Sequence, residues 1–132
     1  MSRAPVLAAC IAGATLAGVA HGATPADLEA AYARAAGAAF APAPERGRAL
    51  FASRHGRDWS CSTCHTDDPR AAGRHTVTGR PLRPLAPSAN PERFTDGAKV
   101  EKWFTRNCRD VLGRECTSGE KADVIAFLRA RA

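Results

Sequence analysis

Apolar residues along this chain recur at helical spacing in four stretches and nowhere alternate long enough to make a convincing strand. Over residues 27–39, Leu28, Ala31, Tyr32 and Ala35 share one face, with Thr24 placed to cap the helix and Pro25 at its first position. Ala41-Pro42-Ala43-Pro44 breaks that run, and Gly47, Leu50 and Phe51 mark a second helix over 45–53. Val100, Trp103, Phe104 and Asn107 fall at i, i+3, i+4 and i+7 in a third helix, which Asp96 caps and which runs to about Asn107. A fourth starts at Thr117-Ser118-Gly119-Glu120, where the acid three places after the threonine is capping-box spacing, and runs to about Arg129. The pattern predicts an all-α domain.

Between 66 and 90 the period fails. Pro69, Pro81, Pro84 and Pro87, with Gly73 and Gly79, make this a long proline-rich loop. A loop of that length inside a small domain needs something to fold around, and a buried cofactor supplies it.

The N-terminus reads differently from everything after it. Arg3 precedes an apolar run over 6–20, which ends in Ala20-His21-Gly22 with small residues at the two positions a signal peptidase inspects. A cleaved signal peptide over 1–22 and one mature domain over 23–132 are expected, with export to the periplasm. The run is short of the roughly 20 residues a membrane span needs, so the mature form is expected to have no span. A retained anchor and lipidation at Cys10, after Leu7-Ala8-Ala9, are the competing readings.

Export alters the inventory of reactive groups. Of the 5 cysteines in the chain, Cys10 leaves with the leader, and Cys61, Cys64, Cys108 and Cys116 remain in a compartment that permits disulfides. The chain's single methionine is Met1, so the mature protein has none. The 19 lysines and arginines against 13 acids are scattered, without a basic stripe, a phosphate-binding Gly-rich loop or a nucleic-acid motif. That excludes an exported nucleic-acid binder. The modest positive field suits an acidic docking patch on a partner protein, or solubility alone.

Cys61-Ser62-Thr63-Cys64-His65 carries the chemistry. Two thiols two residues apart reach the two vinyl groups of one porphyrin, and the adjacent histidine turns under the ring to bind its iron. One covalent haem c is therefore expected on Cys61 and Cys64, with His65 as proximal iron ligand. The rivals fit less well. A redox Cys-x-x-Cys wants a thioredoxin-like alternation of strands and helices, and a zinc site using Cys108 and Cys116 needs reduced thiols in an oxidising compartment.

The sixth iron ligand is not methionine. His55, His75, Lys99, Lys102, Lys121, Asn90 and Asn107 are the candidates. His55 and His75 lie close to His65 in the chain, before and after it. Asn107 differs because its amide sits on an apolar stripe with Val100, Trp103 and Phe104, where burial without a partner costs on the order of 1–3 kcal/mol. The plainer role, capping the helix C-terminus, stays open on pattern alone.

Gly47 to Phe51 before the haem motif and Asp123 to Leu128 at the end of the chain resemble the crossing N- and C-terminal helices of class I cytochromes c. The glycine there lets an aromatic ring, here Phe127, approach the other backbone. The resemblance also implies a proline carbonyl, from Pro84 or Pro81, that accepts a hydrogen bond from the proximal histidine. Arg93-Phe94-Thr95-Asp96, Val100-Glu101-Lys102-Trp103, Arg106-Asn107-Cys108, Gly119-Glu120-Lys121-Ala122-Asp123 and Pro84-Leu85-Ala86-Pro87-Ser88 are similar to the SHP (sphaeroides haem protein) family of oxygen-binding cytochromes c, from about Glu45 onward. That resemblance implies Asn107 as sixth ligand in the oxidised state, a Cys108 to Cys116 disulfide, and Pro84 and Trp103 lining the haem. It also implies an electron-transfer protein that binds diatomic gases, reduced by a partner protein such as another cytochrome. A plain six-coordinate carrier and a haem enzyme acting on peroxide or on nitric oxide with oxygen are the alternatives.

Overall fold

The computed structural model describes residues 22–130. The segment read as a leader lies outside them except for Gly22. Five helices, α1 (Pro25–Ala36), α2 (Pro44–Ala52), α3 (Cys61–His65), α4 (Gly97–Leu112) and α5 (Ser118–Ala130), are joined by loops, with a minimal ladder of β1 (Gly73–Arg74) and β2 (Pro81–Leu82) between α3 and α4. None of the described helices is long and apolar enough to cross a membrane.

Local chemistry sets the helix ends. Thr24 caps α1 through a reciprocal pair: its Oγ1 accepts from Asp27 N at 3.1 Å, and Asp27 Oδ2 accepts from Thr24 N at 2.9 Å. The helix stops at Ala36, short of the expected 39, because Gly37 takes φ 126°, a backbone that side chains resist. The expected box at the start of α5 is present, with Glu120 N donating to Thr117 Oγ1 and Glu120 Oε2 accepting from Thr117 N.

α4 departs most from expectation. It runs five residues past Asn107 to Leu112 and ends at Gly113, whose φ of 72° is the left-handed C-cap that glycine favours. No helix breaker intervenes after Asn107, so that asparagine is a mid-helix residue and the C-cap role falls away. Just beyond the cap, Cys116 returns to bond Cys108, with Cα atoms 5.6 Å apart.

The core is α5 and whatever touches it. Lys121 through Leu128 are all buried, clamped between α1 and α2. A Cβ at Gly47 would stand 1.9 Å from the Asp123 carbonyl oxygen, so α2 and α5 cross backbone to backbone. The crossing glycine thus serves Asp123, not the Phe127 ring. Phe127 packs on Phe51 instead, with ring centroids 5.4 Å apart. Asp123 does more at this crossing. Its carboxylate accepts from Ala43 N at 2.7 Å and from Arg46 Nε at 2.8 Å, so α5 takes the acceptor part that an N3 carboxylate plays in a capping box and that Arg46, at N3 of α2, cannot.

The proline-rich loop is ordered by its own main chain. Leu85 N and Ala86 N both donate to Pro69 O at 2.9 Å. The β1–β2 ladder was not expected, since two residues a side are too short to show a period of two.

Candidate haem-binding site

α3 is a single helical turn, and its existence depends on Ser60. The Ser60 Oγ accepts from Thr63 N at 3.2 Å while Thr63 Oγ1 accepts from Ser60 N at 3.0 Å. This box has threonine at the place where glutamate or glutamine usually stands, which is why sequence reading passed over it. The turn sets Cys61 and Cys64 one helical step apart, with His65 at its end. Thr66, at φ 61°, ends the helix.

Each member of the motif meets a different neighbour. Cys61 packs against the cluster of Phe51, Val124, Phe127 and Leu128, beside half-buried Leu50, Leu85, Phe94 and Phe104. Burial pushes its thiol up to about 11. A redox Cys-x-x-Cys works by the opposite shift, a depressed thiol. Cys64 lies under the β1–β2 turn: Thr76 N points at its Sγ from 3.4 Å, and a Cβ at Gly73 would stand 2.1 Å from its carbonyl oxygen. The His65 ring lies 6.5 Å from that of Phe51, and burial, with the nearby Arg93 charge, holds it down to about 4. A neutral imidazole is the form that binds a metal.

This donor set fits haem c. Cys61 and Cys64 are free thiols, whereas Cys108 and Cys116 are spent on each other. Among the described residues no group of three or more His, Cys, Asp or Glu is placed to hold a bare metal ion, which removes the zinc alternative. Two unpaired thiols, one adjacent imidazole and an apolar collar suit a porphyrin better than an ion.

The remaining expected residues are placed as follows. Pro84 O accepts from Asn90 Nδ2 at 3.1 Å and from Arg93 Nε at 3.0 Å, which engages both of its lone pairs. Pro84, one of the two prolines the resemblance offered to His65, thus has Asn90 and Arg93 as its partners. Trp103 is 45% exposed, with the Arg106 guanidinium 5.7 Å from its ring centroid. Val100 and Phe104 are half-buried on the same stripe and Asn107 is exposed. Phe104 and Cys61 border one apolar cluster, which is how α4 and α3 come to flank the same space.

Several rival sixth ligands are otherwise engaged. His55 Nε2 bonds Leu50 O at 2.8 Å, and His75 Nδ1 accepts from Val77 N and Thr78 N at 3.2 Å. Asn90 is buried on Pro84, and Lys121 donates to Glu101 at 2.6 Å.

Comparison with known proteins bears on the same residues. A family model described as a domain of unknown function (DUF1924) matches residues 37–128. The cytochrome c-type protein SHP of Cereibacter sphaeroides is 53% identical over 136 residues, spanning 99% of this chain and 100% of that protein. This chain belongs to the SHP family of c-type cytochromes. The solved structure of oxidised SHP, described as an oxygen binding cytochrome c, superposes with a TM-score of 0.76 at 54% identity, over 83% of this chain and 98% of that one. Oxidised cytochrome c'' of Methylophilus methylotrophus superposes with a TM-score of 0.72 at 37% identity, over 82% and 94% of the two chains. A solution structure of that same protein addresses haem-ligand detachment. As an SHP-family member the chain has the all-α fold of cytochromes c, with α2 and α5 as its crossing helices, and its cofactor is covalent haem c with its iron.

Proposed function

We propose that this protein is a periplasmic electron-transfer cytochrome whose haem opens to diatomic gases when it is reduced. When bound, haem c supplies a redox-active iron with an affinity for oxygen, nitric oxide and carbon monoxide. Cys61 and Cys64 would hold it covalently, His65 would give the iron its permanent nitrogen donor, and Asn107 would give it an exchangeable one. One observation carries the reading: α4 presents an amide, at Asn107, on the stripe of Val100 and Phe104, in a chain with no methionine beyond Met1.

An amide oxygen is hard, neutral and weak. It suits the oxidised iron and is poorly matched to the reduced one, which prefers nitrogen or sulfur. Asn107 would therefore be released on reduction, with its NH2 group then free to hydrogen-bond an incoming ligand. The electron comes from a partner protein, another cytochrome by preference, that docks on the positively charged surface. The oxygen binding named for SHP and the ligand detachment named for cytochrome c'' support this reading.

The test is optical. Asn107→Val is expected to abolish the six-coordinate spectrum of the oxidised protein while the reduced protein still binds carbon monoxide. An oxidised spectrum identical to that of the parent overturns the assignment.

A further inference from the structure

Two strong links hold α4, one to the loop that leads into α5 and one to α1 and α5 themselves, and they lie on one face of it. Cys108 is bolted to Cys116. Glu101, seven residues earlier and so about 10 Å along the axis on nearly the same face, ties α4 to two other helices at once. Its Oε2 accepts from the Tyr32 hydroxyl of α1 at 2.7 Å, and its Oε1 accepts from Lys121 Nζ of α5 at 2.6 Å. The Lys121 ammonium lies 5.3 Å from the Tyr32 ring centroid, which closes the triangle. The Lys121 side chain is 11% exposed, so this ion pair is sheltered on one side, although Glu101 itself is 48% exposed. The Lys121 bond, and after it the Tyr32 bond, hold the Glu101 carboxyl below its ordinary range.

Asn107 stands about a third of a turn round the helix from this anchored face. Phe104 of α4 also packs edge-on against Tyr32, with ring centroids 5.8 Å apart, so the Glu101 end of α4 is held to α1 by the same side chain that closes the triangle. The disulfide is next to Asn107 and acts as a pivot. Glu101 is the far end of the lever.

We propose that Glu101 is a positioning residue, closing a latch with Tyr32 and Lys121 that holds α4 in the attitude from which Asn107 reaches the iron. The proposal rests on the reading of Asn107 as the oxidised-state ligand. With the latch open, α4 turns about Cys108 and the sixth donor is lost from part of the oxidised population, while His65 and the two thioether links are untouched.

Glu101→Gln keeps the shape and removes the charge, and Glu101→Ala removes both. Each is compared, as holoprotein, with the parent and with Asn107→Val. The high-spin fraction of the oxidised spectrum is expected to rise roughly two- to fivefold in Glu101→Ala, the effect a half-exposed ion pair carries, and by less in Glu101→Gln. Amide hydrogen exchange over 97–104 is expected to quicken while that of α5 holds, and the reduced proteins still bind carbon monoxide. If Asn107→Val changes the oxidised spectrum and neither Glu101 variant does, the latch is overturned and the ligand assignment survives. If Asn107→Val changes nothing, the ligand assignment fails and the positioning role fails with it. Equal loss of protection in α4 and α5 overturns positioning in favour of a general contribution to the fold.

Discussion

Asn107 and Cys108 are neighbours in sequence and opposites in setting. Cys108 is 4% exposed and bonded to Cys116, while Asn107, about 100° further round α4, is open. The covalent bond thus fixes the helix immediately beside the residue proposed as the exchangeable iron ligand.

Removing that bond tests how much of the fold depends on it. The double change Cys108→Ser with Cys116→Ser is expected to lower stability by about 2.5 kcal/mol, the chain-entropy value for so short a loop. Equilibrium denaturation measures it, and a change near zero means the loop is held closed without the bond.

Gly47→Ala places a methyl group against the Asp123 carbonyl oxygen, where an ideal Cβ sits at 1.9 Å. Neither helix can yield without losing the crossing, so a loss of more than about 2 kcal/mol is expected. A melting temperature within a degree of the parent's contradicts the close approach.

Covalent attachment makes a sharp prediction for the haem motif. In the double variant Cys61→Ala with Cys64→Ala, haem is no longer retained on the chain after denaturing electrophoresis, whereas the parent keeps it. Haem staining of the gel decides, and persistent stain on the variant chain shows attachment elsewhere.

Acid stability is expected to depend on Glu120. The Arg114 bond, more than Thr117 at the helix start, holds its carboxyl to about 2 against an ordinary 4.5. Because the folded value lies below the unfolded one, this contribution is complete above about pH 4.5 and is lost as pH falls toward 2. Glu120→Gln removes it at every pH, so its stability difference from the parent is expected to shrink across that window. A difference that stays constant from pH 6 to pH 2.5 rules the linkage out.

Much of this molecule is legible in its sequence because the signals are local. The Thr24 and Thr117 caps, the apolar faces of α1 and α5, and the five contiguous residues of the haem motif each lie within a few positions. α4 was read too short because asparagine often ends a helix, and only Gly113, six residues later, ends this one. The relationships that sequence reading missed join residues far apart in the chain. Asp123 accepts from the Ala43 amide at the start of α2 across 80 positions, and Tyr32 reaches Glu101 across 69. Neither leaves a periodic trace. The Pro84 carbonyl shows the same limit. The resemblance offered Pro84 or Pro81 as acceptor from His65, and the donors that meet Pro84 are Asn90 and Arg93, from the far end of the same loop.

The Asp123 contact also has a consequence for folding. The Ala43 amide at the start of α2 and the Arg46 guanidinium find their acceptor only on the last helix, some 80 positions on. Contacts of such long sequence separation slow folding, so the crossing of α2 and α5 is expected to form late.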